Sequence, residues 1–229
     1  GAASMRTISI LLIVMWMATL AGCARENTQA QVSVTGVKAE IAAPQRYARI
    51  AKTADGIGKS YMGREIAGVM GWQGAGWLER EEREQEERGT LLLQELALKP
   101  GMQVADVGAG TGYYARRMAP LVGPTGKIFA VDVQPEMIAI GLDLAKKAGI
   151  TNIEPMLSTV DDVKLPAASI DLAIMVDVYH ELEFPYEMME SVVRALKPGA
   201  RVAFVEYRAE DPNRSEERRV GKECLKRCR

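Results

Sequence analysis

The sequence predicts an α/β fold with a doubly wound, mainly parallel sheet and helices on both of its faces. From residue 90 onward, short runs rich in β-branched and apolar residues alternate with longer segments of helical periodicity, a pattern typical of parallel sheets. The first run, 103–107, is followed by glycines at alternate positions, Gly108, Gly110 and Gly112. We interpret this as a strand, a tight turn and a helix N-terminus.

Each predicted element ends at a turn-forming sequence, as at Lys99-Pro100-Gly101 and at Gly149, because glycine and proline interrupt regular structure. In such a fold the ligand is expected at the carboxyl ends of the strands, near the point where strand order reverses. Strands are predicted over 103–107, 127–133, 152–156, 170–176 and 201–207, and helices over 91–97, 113–122, 135–148 and 185–196.

The region before this alternation, 44–90, is predicted as an N-terminal helical cap. It has helical patterning at 46–50 and a run of acidic and basic residues at 78–88. Within that run Glu79 precedes Arg83 by four positions, the favoured order on a helix. We therefore expect these charges to lie on a solvated helix face.

Two acids stand close to the glycine-rich turn in sequence. Asp106 lies two places before the first glycine, and Asp132 ends the next apolar run. The pattern Asp-x-Gly-x-Gly-x-Gly differs from the G-x-G-x-x-G of dinucleotide folds. Asp106 would repel a pyrophosphate but suit a cationic ligand, and a carboxylate at Asp132 can accept both hydroxyls of a ribose.

These residues together resemble the S-adenosylmethionine (SAM) site of class I methyltransferases, and the resemblance covers about 91–211. It implies that the SAM-binding Rossmann-like domain is 91–213. Thr159 stands where the family usually places an acid, so we expect Asp161 to contact the adenine, with Asp162 as a cap of the following turn. The cofactor-binding set implied is Asp106, Gly108, Ala109, Gly110 and Gly112 for the methionine, Asp132 and Val133 for the nucleoside, and Thr159, Val160, Asp161 and Asp177.

The acceptor side is expected in Asp177-Val-Tyr179-His180-Glu181, which follows the predicted strand 170–176. His180 is the only histidine, and as a neutral imidazole it could act as a base oriented by Glu181 or Asp177, with Tyr179 beside it. A structural role for His180 stays open, because many methyl transfers need only alignment. The Asn-Pro-Pro-Tyr motif of the amino-directed branch is absent, which argues against nucleic-acid bases and glutamine as acceptors.

In many methyltransferases of this class, N-terminal helices form one wall of the acceptor pocket. By that resemblance Tyr61, Arg64, Glu65 and Trp77 are substrate-pocket candidates, whereas ordinary packing is the alternative for each of them. No metal site is expected, because the folded part offers one histidine and no cysteine.

The N-terminus predicts a secretory signal over 1–23. After Met5 and Arg6 comes an apolar run, 8–20, which is short for a membrane span. Leu20-Ala-Gly-Cys23 resembles the lipobox of bacterial lipoproteins, so Cys23 is the expected lipidation site and 24–43 the tether. The alternative is an uncleaved anchor that leaves the domain in the cytoplasm.

The C-terminal residues 214–229 are expected to be non-native, because 214–224 resemble the translation of a common sequencing adapter. This tail carries seven basic and three acidic residues, so the net charge of −1 becomes −5 without it. Such an acidic surface has no electrostatic footprint for nucleic acid. The resemblance also implies two further strands, which the sequence does not show before residue 213, so we expect a truncated sheet whose exposed apolar edge promotes aggregation.

The sequence therefore predicts a SAM-dependent methyltransferase acting on a small-molecule or lipid-like acceptor. Two alternatives stay open: an NAD(P)-dependent oxidoreductase, and a non-catalytic nucleotide- or SAM-binding module. The non-catalytic module is considered because SAM is made in the cytoplasm, whereas a lipoprotein faces the envelope. Oligomeric state is not predicted.

Overall fold

The computed structural model describes residues 45–206, which form two sheets and several helices. The predicted signal segment with Cys23, the tether and the C-terminal tail lie outside these residues. The strands are β1 Tyr47–Arg49, β2 Gly56–Tyr61, β3 Arg64–Ala67, β4 Gln103–Val107, β5 Lys127–Asp132, β6 Ile153–Leu157, β7 Ile170–Val176 and β8 Leu196–Val205. The helices are α1 Ala75–Leu78, α2 Arg83–Glu87, α3 Gly89–Glu95, α4 Tyr113–Val122, α5 Pro135–Lys147 and α6 Pro185–Ala195.

The larger sheet has five strands in the order β6-β5-β4-β7-β8, and every pair in it is parallel. The predicted parallel α/β fold is confirmed. The chain moves outward from β4 through β5 to β6, and then crosses back to β7 on the other side of β4. The order therefore reverses between β4 and β7, and the loops after these two strands face each other at the carboxyl edge.

Apolar residues cover both faces of this sheet. On one face Val104 packs with Met118 of α4, while on the other face Ala105 packs with Val192 of α6. Successive residues of a strand point to opposite faces, so β4 contributes to both clusters. The site at the carboxyl edge is thus built on strands that are held rigidly from both sides.

The N-terminal region differs from the predicted helical cap. β1, β2 and β3 form an antiparallel sheet, and helices begin only after it. Met62 and Gly63 make a two-residue hairpin turn with φ of 51° and 80°, which suits the twist of paired strands. The sheet also gains support from α6, because the Tyr47 hydroxyl donates a hydrogen bond to the carboxylate of Glu187. The helical pattern at 46–50 was too short to outweigh this tertiary packing.

The charged run at 78–88 is not a solvated helix face, and its pairing differs from the prediction. Arg83 is only 7% exposed, and its Nε donates to Glu87 Oε2 at 2.8 Å. Glu79 instead pairs with Arg116 of α4, at 2.6 Å. The run therefore fastens the cap to the parallel sheet domain.

Candidate active site

The glycine-rich turn lies between two close neighbours. Gly108, Gly110 and Gly112 all have positive φ, between 55° and 76°, which L-residues rarely adopt. A Cβ on Gly108 would lie 2.5 Å from Cγ2 of Val178, and one on Gly110 would lie 2.8 Å from Cδ1 of Leu78. Glycine is therefore required for conformation and for space. The loop after β7 and the cap therefore both pack against the glycine-rich turn.

Asp132 stands at the end of β5, with a carboxylate that is held by main-chain donors. Its Oδ2 accepts from the Gly110 amide at 2.8 Å, and its Oδ1 accepts from the Gln134 amide at 2.9 Å. Burial raises its pKa, and the backbone donors oppose that rise. A carboxylate offers about four acceptor sites, so two bonds leave capacity for a diol. Val133, next in the chain, is half-buried.

Asp106 is buried at the carboxyl end of β4. Its Oδ2 has no hydrogen-bond partner among residues 45–206. Burial raises its pKa to about 7, Arg83 and the Ala115 amide oppose that rise, and Asp132 adds to it. A buried acceptor without a partner is costly, and a ligand ammonium would relieve that cost. This buried acceptor fits the amino end of SAM and does not fit a pyrophosphate.

The loop after β6 starts beside Asp132, since the Ser158 amide donates to the Asp132 carbonyl at 2.9 Å. Thr159 donates its hydroxyl to Asp161 Oδ1 at 2.7 Å, and Asp161 is exposed. Asp162 accepts a hydrogen bond from the Lys164 amide at 2.7 Å, which is the turn-capping role expected for it from the sequence. The adenine contact by Asp161 and Val160 stays a prediction.

The acceptor-side turn follows β7. Asp177 has φ of 58°, and residues Tyr179–Glu181 form a short 3₁₀ helix. The His180 side chain is wholly buried, and its Nδ1 lies 2.8 Å from Glu206 Oε2. The other oxygen of Glu206 accepts from the Tyr179 amide at 2.9 Å. One carboxylate at the end of β8 therefore holds both the turn and the imidazole ring.

Glu206 was missed in the sequence, where Glu181 or Asp177 was expected to orient the ring. Asp177 Oδ1 and Glu181 Oε1 each lie 3.8 Å from a ring nitrogen, which is beyond hydrogen-bond distance. The available signal was that Glu206 directly follows the run 201–205, at the same sheet edge as Asp177. Asp177, His180 and Glu206 also have the spacing of three ligands to one metal ion, within 4.8 Å. However, the 2.8 Å contact is that of a direct hydrogen bond, which accounts for the pair.

The predicted pocket residues divide into two groups. Tyr61 and Arg64 lie near the acceptor turn, where both interact electrostatically with Tyr179. Burial raises the pKa of Tyr179, Tyr61 adds to the rise and Arg64 opposes it. Glu65 instead accepts main-chain hydrogen bonds from the amide of Gly58 on β2 and from that of Thr53 in the loop before it.

Trp77 lies in the cap, on α1, and its ring packs against the Arg80 guanidinium at 3.7 Å. It is adjacent to Leu78, the residue that contacts the glycine-rich turn. A substrate contact by Trp77 stays a prediction.

Comparisons with known proteins agree with this geometry. A family model described as "Methyltransferase domain" matches residues 98–227, more than half of the chain. A solved SAM-dependent methyltransferase from Aquifex aeolicus is 31% identical with a TM-score of 0.61, and the match covers 64% of this chain and 78% of that one.

Two curated relatives are ubiquinone/menaquinone biosynthesis C-methyltransferases. The one from Ectopseudomonas mendocina is 27% identical and the one from Pseudomonas putida strain GB-1 is 29% identical, each over 48% of this chain and 43% of the relative. The chain thus spans less than half the length of these curated relatives. From the matched family model and the fold, the chain belongs to the family of class I SAM-dependent methyltransferase domains.

Proposed function

We propose that this protein uses SAM to methylate a small-molecule or lipid-like acceptor. The observation that carries the proposal is the pair of buried carboxylates, Asp106 and Asp132, at the ends of two adjacent parallel strands. One has an oxygen without a partner, as an ammonium ligand requires. The other is held by main-chain amides in a position to accept ribose hydroxyls.

The remaining cofactor contacts follow from the turn. Gly108, Ala109, Gly110 and Gly112 would hold the methionine moiety, and Val133, Thr159, Val160, Asp161 and Asp177 complete the proposed set. SAM supplies an electrophilic methyl group on a sulfonium when bound. The protein would align the acceptor with the methyl group and exclude water from the site. Leu78 of the cap and Val178 of the loop after β7 would exclude water, because they lie on either side of the glycine-rich turn.

Proton removal, where an acceptor requires it, is assigned to the acceptor turn. An ionised Glu206 carboxylate can only accept a hydrogen bond, so the contact with Nδ1 implies a proton on Nδ1 and makes Nε2 the basic nitrogen of the neutral His180 ring. The ring is buried, so a proton would reach Nε2 through Glu181 only after the Glu181 carboxylate, whose Oε1 lies 3.8 Å from Nε2, moved to hydrogen-bond distance. Tyr179, Tyr61 and Arg64 would border the acceptor.

A lipid-like acceptor is supported by the names of the curated relatives, which act in ubiquinone or menaquinone biosynthesis. We also propose lipidation at Cys23 and a location in the cell envelope, which rest on the Leu20–Cys23 motif alone. Within residues 45–206 no helix has the length and apolar character needed to cross a bilayer. Cell fractionation of the tagged full chain, with Cys23→Ser as the control, tests this; recovery of the unmodified chain in the cytosol would overturn it.

Calorimetry of the purified full chain with SAM and with NAD tests the cofactor. We expect SAM binding that is lost in Asp132→Ala, while the folded state is checked by circular dichroism. Binding of NAD in place of SAM would support the oxidoreductase alternative. A folded protein that binds neither would contradict the methyltransferase proposal and favour a non-catalytic module.

A further inference from the structure

Both polar atoms of the Gln134 side-chain amide form hydrogen bonds with the main chain of the cap. Its Nε2 donates to the Met70 carbonyl at 2.9 Å, and its Oε1 accepts from the Trp72 amide at 2.9 Å. Both partners fix the orientation of this amide, because exchanging its nitrogen and oxygen would lose both bonds. The side-chain amide thus bonds to one carbonyl and one amide two residues apart, as the backbone of a strand residue does with a neighbouring strand.

Gln134 is itself anchored at the cofactor side. Its backbone amide donates to Asp132 Oδ1 at 2.9 Å, and it immediately precedes α5. The side chain that holds the cap therefore begins two residues from the carboxylate proposed to bind the ribose.

Met70 extends this connection to the acceptor side. Its amide donates to Glu181 Oε2 at 3.2 Å, so its carbonyl is bound by Gln134 and its amide by the acceptor turn. Farther along the cap, Leu78 covers the glycine-rich turn. The segment 70–72 thus crosses the carboxyl edge of the sheet and contacts both halves of the proposed active site.

We propose that Gln134 is a positioning residue that clamps the cap segment 70–72 across the cofactor site and, through Met70, holds the acceptor turn in place. The expected effect of this clamp on kcat rests on the proposed methyltransferase function. The clamp itself is a property of the free protein and can be tested without any cofactor.

The variant Gln134→Met keeps the length of the side chain and removes both hydrogen bonds. Hydrogen exchange measured by mass spectrometry on peptides covering 68–80 should therefore accelerate by roughly thirtyfold, the factor that corresponds to about 1 kcal/mol for each of the two bonds lost. Gln134→Asn, which is one methylene shorter, should act in the same way. The control is Gln85→Ala, at an exposed position on α2.

The kinetic result separates positioning from simple stability. In Gln134→Met, kcat should fall while the exchange of peptides from β4 and β7 stays unchanged, because the sheet does not depend on the clamp. Unchanged exchange at 68–80 in both Gln134 variants, with the sheet intact, would overturn the inference. If the wild type binds no SAM, the proposed function fails, yet accelerated exchange in Gln134→Met would still establish the clamp.

Discussion

Thr111 and Glu79 are joined by a hydrogen bond from the Thr111 hydroxyl to the Glu79 carboxylate, between the glycine-rich turn and the cap. The same carboxylate pairs with Arg116 at 2.6 Å, and Arg116 in turn donates to the Thr111 carbonyl. The three residues form a closed set of contacts at one point of the cap, and Gln134 holds the cap at another, the segment 70–72. The cap is therefore attached on both sides of the proposed methionine site.

Replacing Glu79 should weaken cofactor binding. In Glu79→Ala the cap loses its attachment to Thr111, and we expect the Kd for SAM to rise about threefold to tenfold, given roughly 1 kcal/mol for the bonds lost. Glu81→Ala, at an exposed neighbouring position, is the matched control. Equal affinities in the two variants, measured by calorimetry, would contradict a role for this contact.

Asp132→Asn should reduce SAM affinity more strongly than Glu79→Ala. An asparagine has one acceptor oxygen, so it cannot both keep the amides of Gly110 and Gln134 and accept a diol. Loss of a bond to a charged group costs about 1.5–3 kcal/mol, which corresponds to roughly tenfold to a hundredfold in Kd. Calorimetry with SAM and with its 2′-deoxy analogue checks the assignment, because the variant should discriminate less between the two ligands.

The free protein should lose stability as the pH rises toward neutrality, through Asp106. The folded-state pKa of about 7 lies above the value near 3.9 of an unfolded aspartate. Between about pH 4 and 7 the folded state therefore binds more protons than the unfolded state, and stability falls with rising pH.

Asp106→Asn should remove this dependence and make the free protein more stable than the wild type at pH 8, while SAM affinity falls. Urea unfolding at pH 5 and pH 8 measures the effect. Asp143→Asn, which removes an exposed carboxylate of α5, should retain the wild-type profile. A wild type equally stable at both pH values would show that Asp106 does not titrate in this range.

The two glycines Gly108 and Gly149 share positive φ, of 73° and 69°, but differ in the space around them. Gly149→Ala should cost about 1–2 kcal/mol of stability from backbone conformation alone. Gly108→Ala adds a clash with Val178 and should abolish SAM binding. In Gly108→Ala/Val178→Ala the two shortest contacts, with the γ carbons of Val178, are removed and the 3.1 Å contact with the Cβ of residue 178 remains, so partial recovery of binding in calorimetry is expected.

Glu206→Gln should alter the protonation pattern of His180, the single histidine of the sequence. The carboxylate accepts from Nδ1–H, whereas the amide can also donate and so no longer selects that tautomer. The ¹⁵N chemical shifts of the imidazole should report a mixture in the variant and one tautomer in the wild type. Identical spectra would show that Glu206 does not orient the ring.

The parallel domain could be predicted because its signals are local. Three predicted elements, β4, α4 and β7, have the bounds found in the structure, since each is delimited by a turn or by a sharp change of periodicity. β8 begins earlier than predicted, at Leu196, because its first residues pair with Ile170 across a register shift. Because that pairing depends on β7, the sequence of β8 alone does not indicate where the strand begins.

The missed features all depend on contacts between distant residues. β1 is three residues long and is held by partners on β2 and α6, so its own pattern carries little information. Arg83 lies against the rings of Tyr113 and Tyr114 on α4, which the sequence around it does not indicate. Glu206 and Gln134 have ordinary neighbours in sequence, and each gains its role at the carboxyl edge, where loops from separate strands meet.

The bond between Tyr47 and Glu187 bears on how the chain acquires its structure during translation. The two residues are 140 positions apart, so at 5–20 residues per second the ribosome needs roughly 7–28 s between them. Over that interval β1 lacks the α6 carboxylate that Tyr47 contacts, and β3 lacks the acceptor turn that packs against it. The nascent N-terminal sheet is therefore expected to stay incompletely packed until α6 has been made.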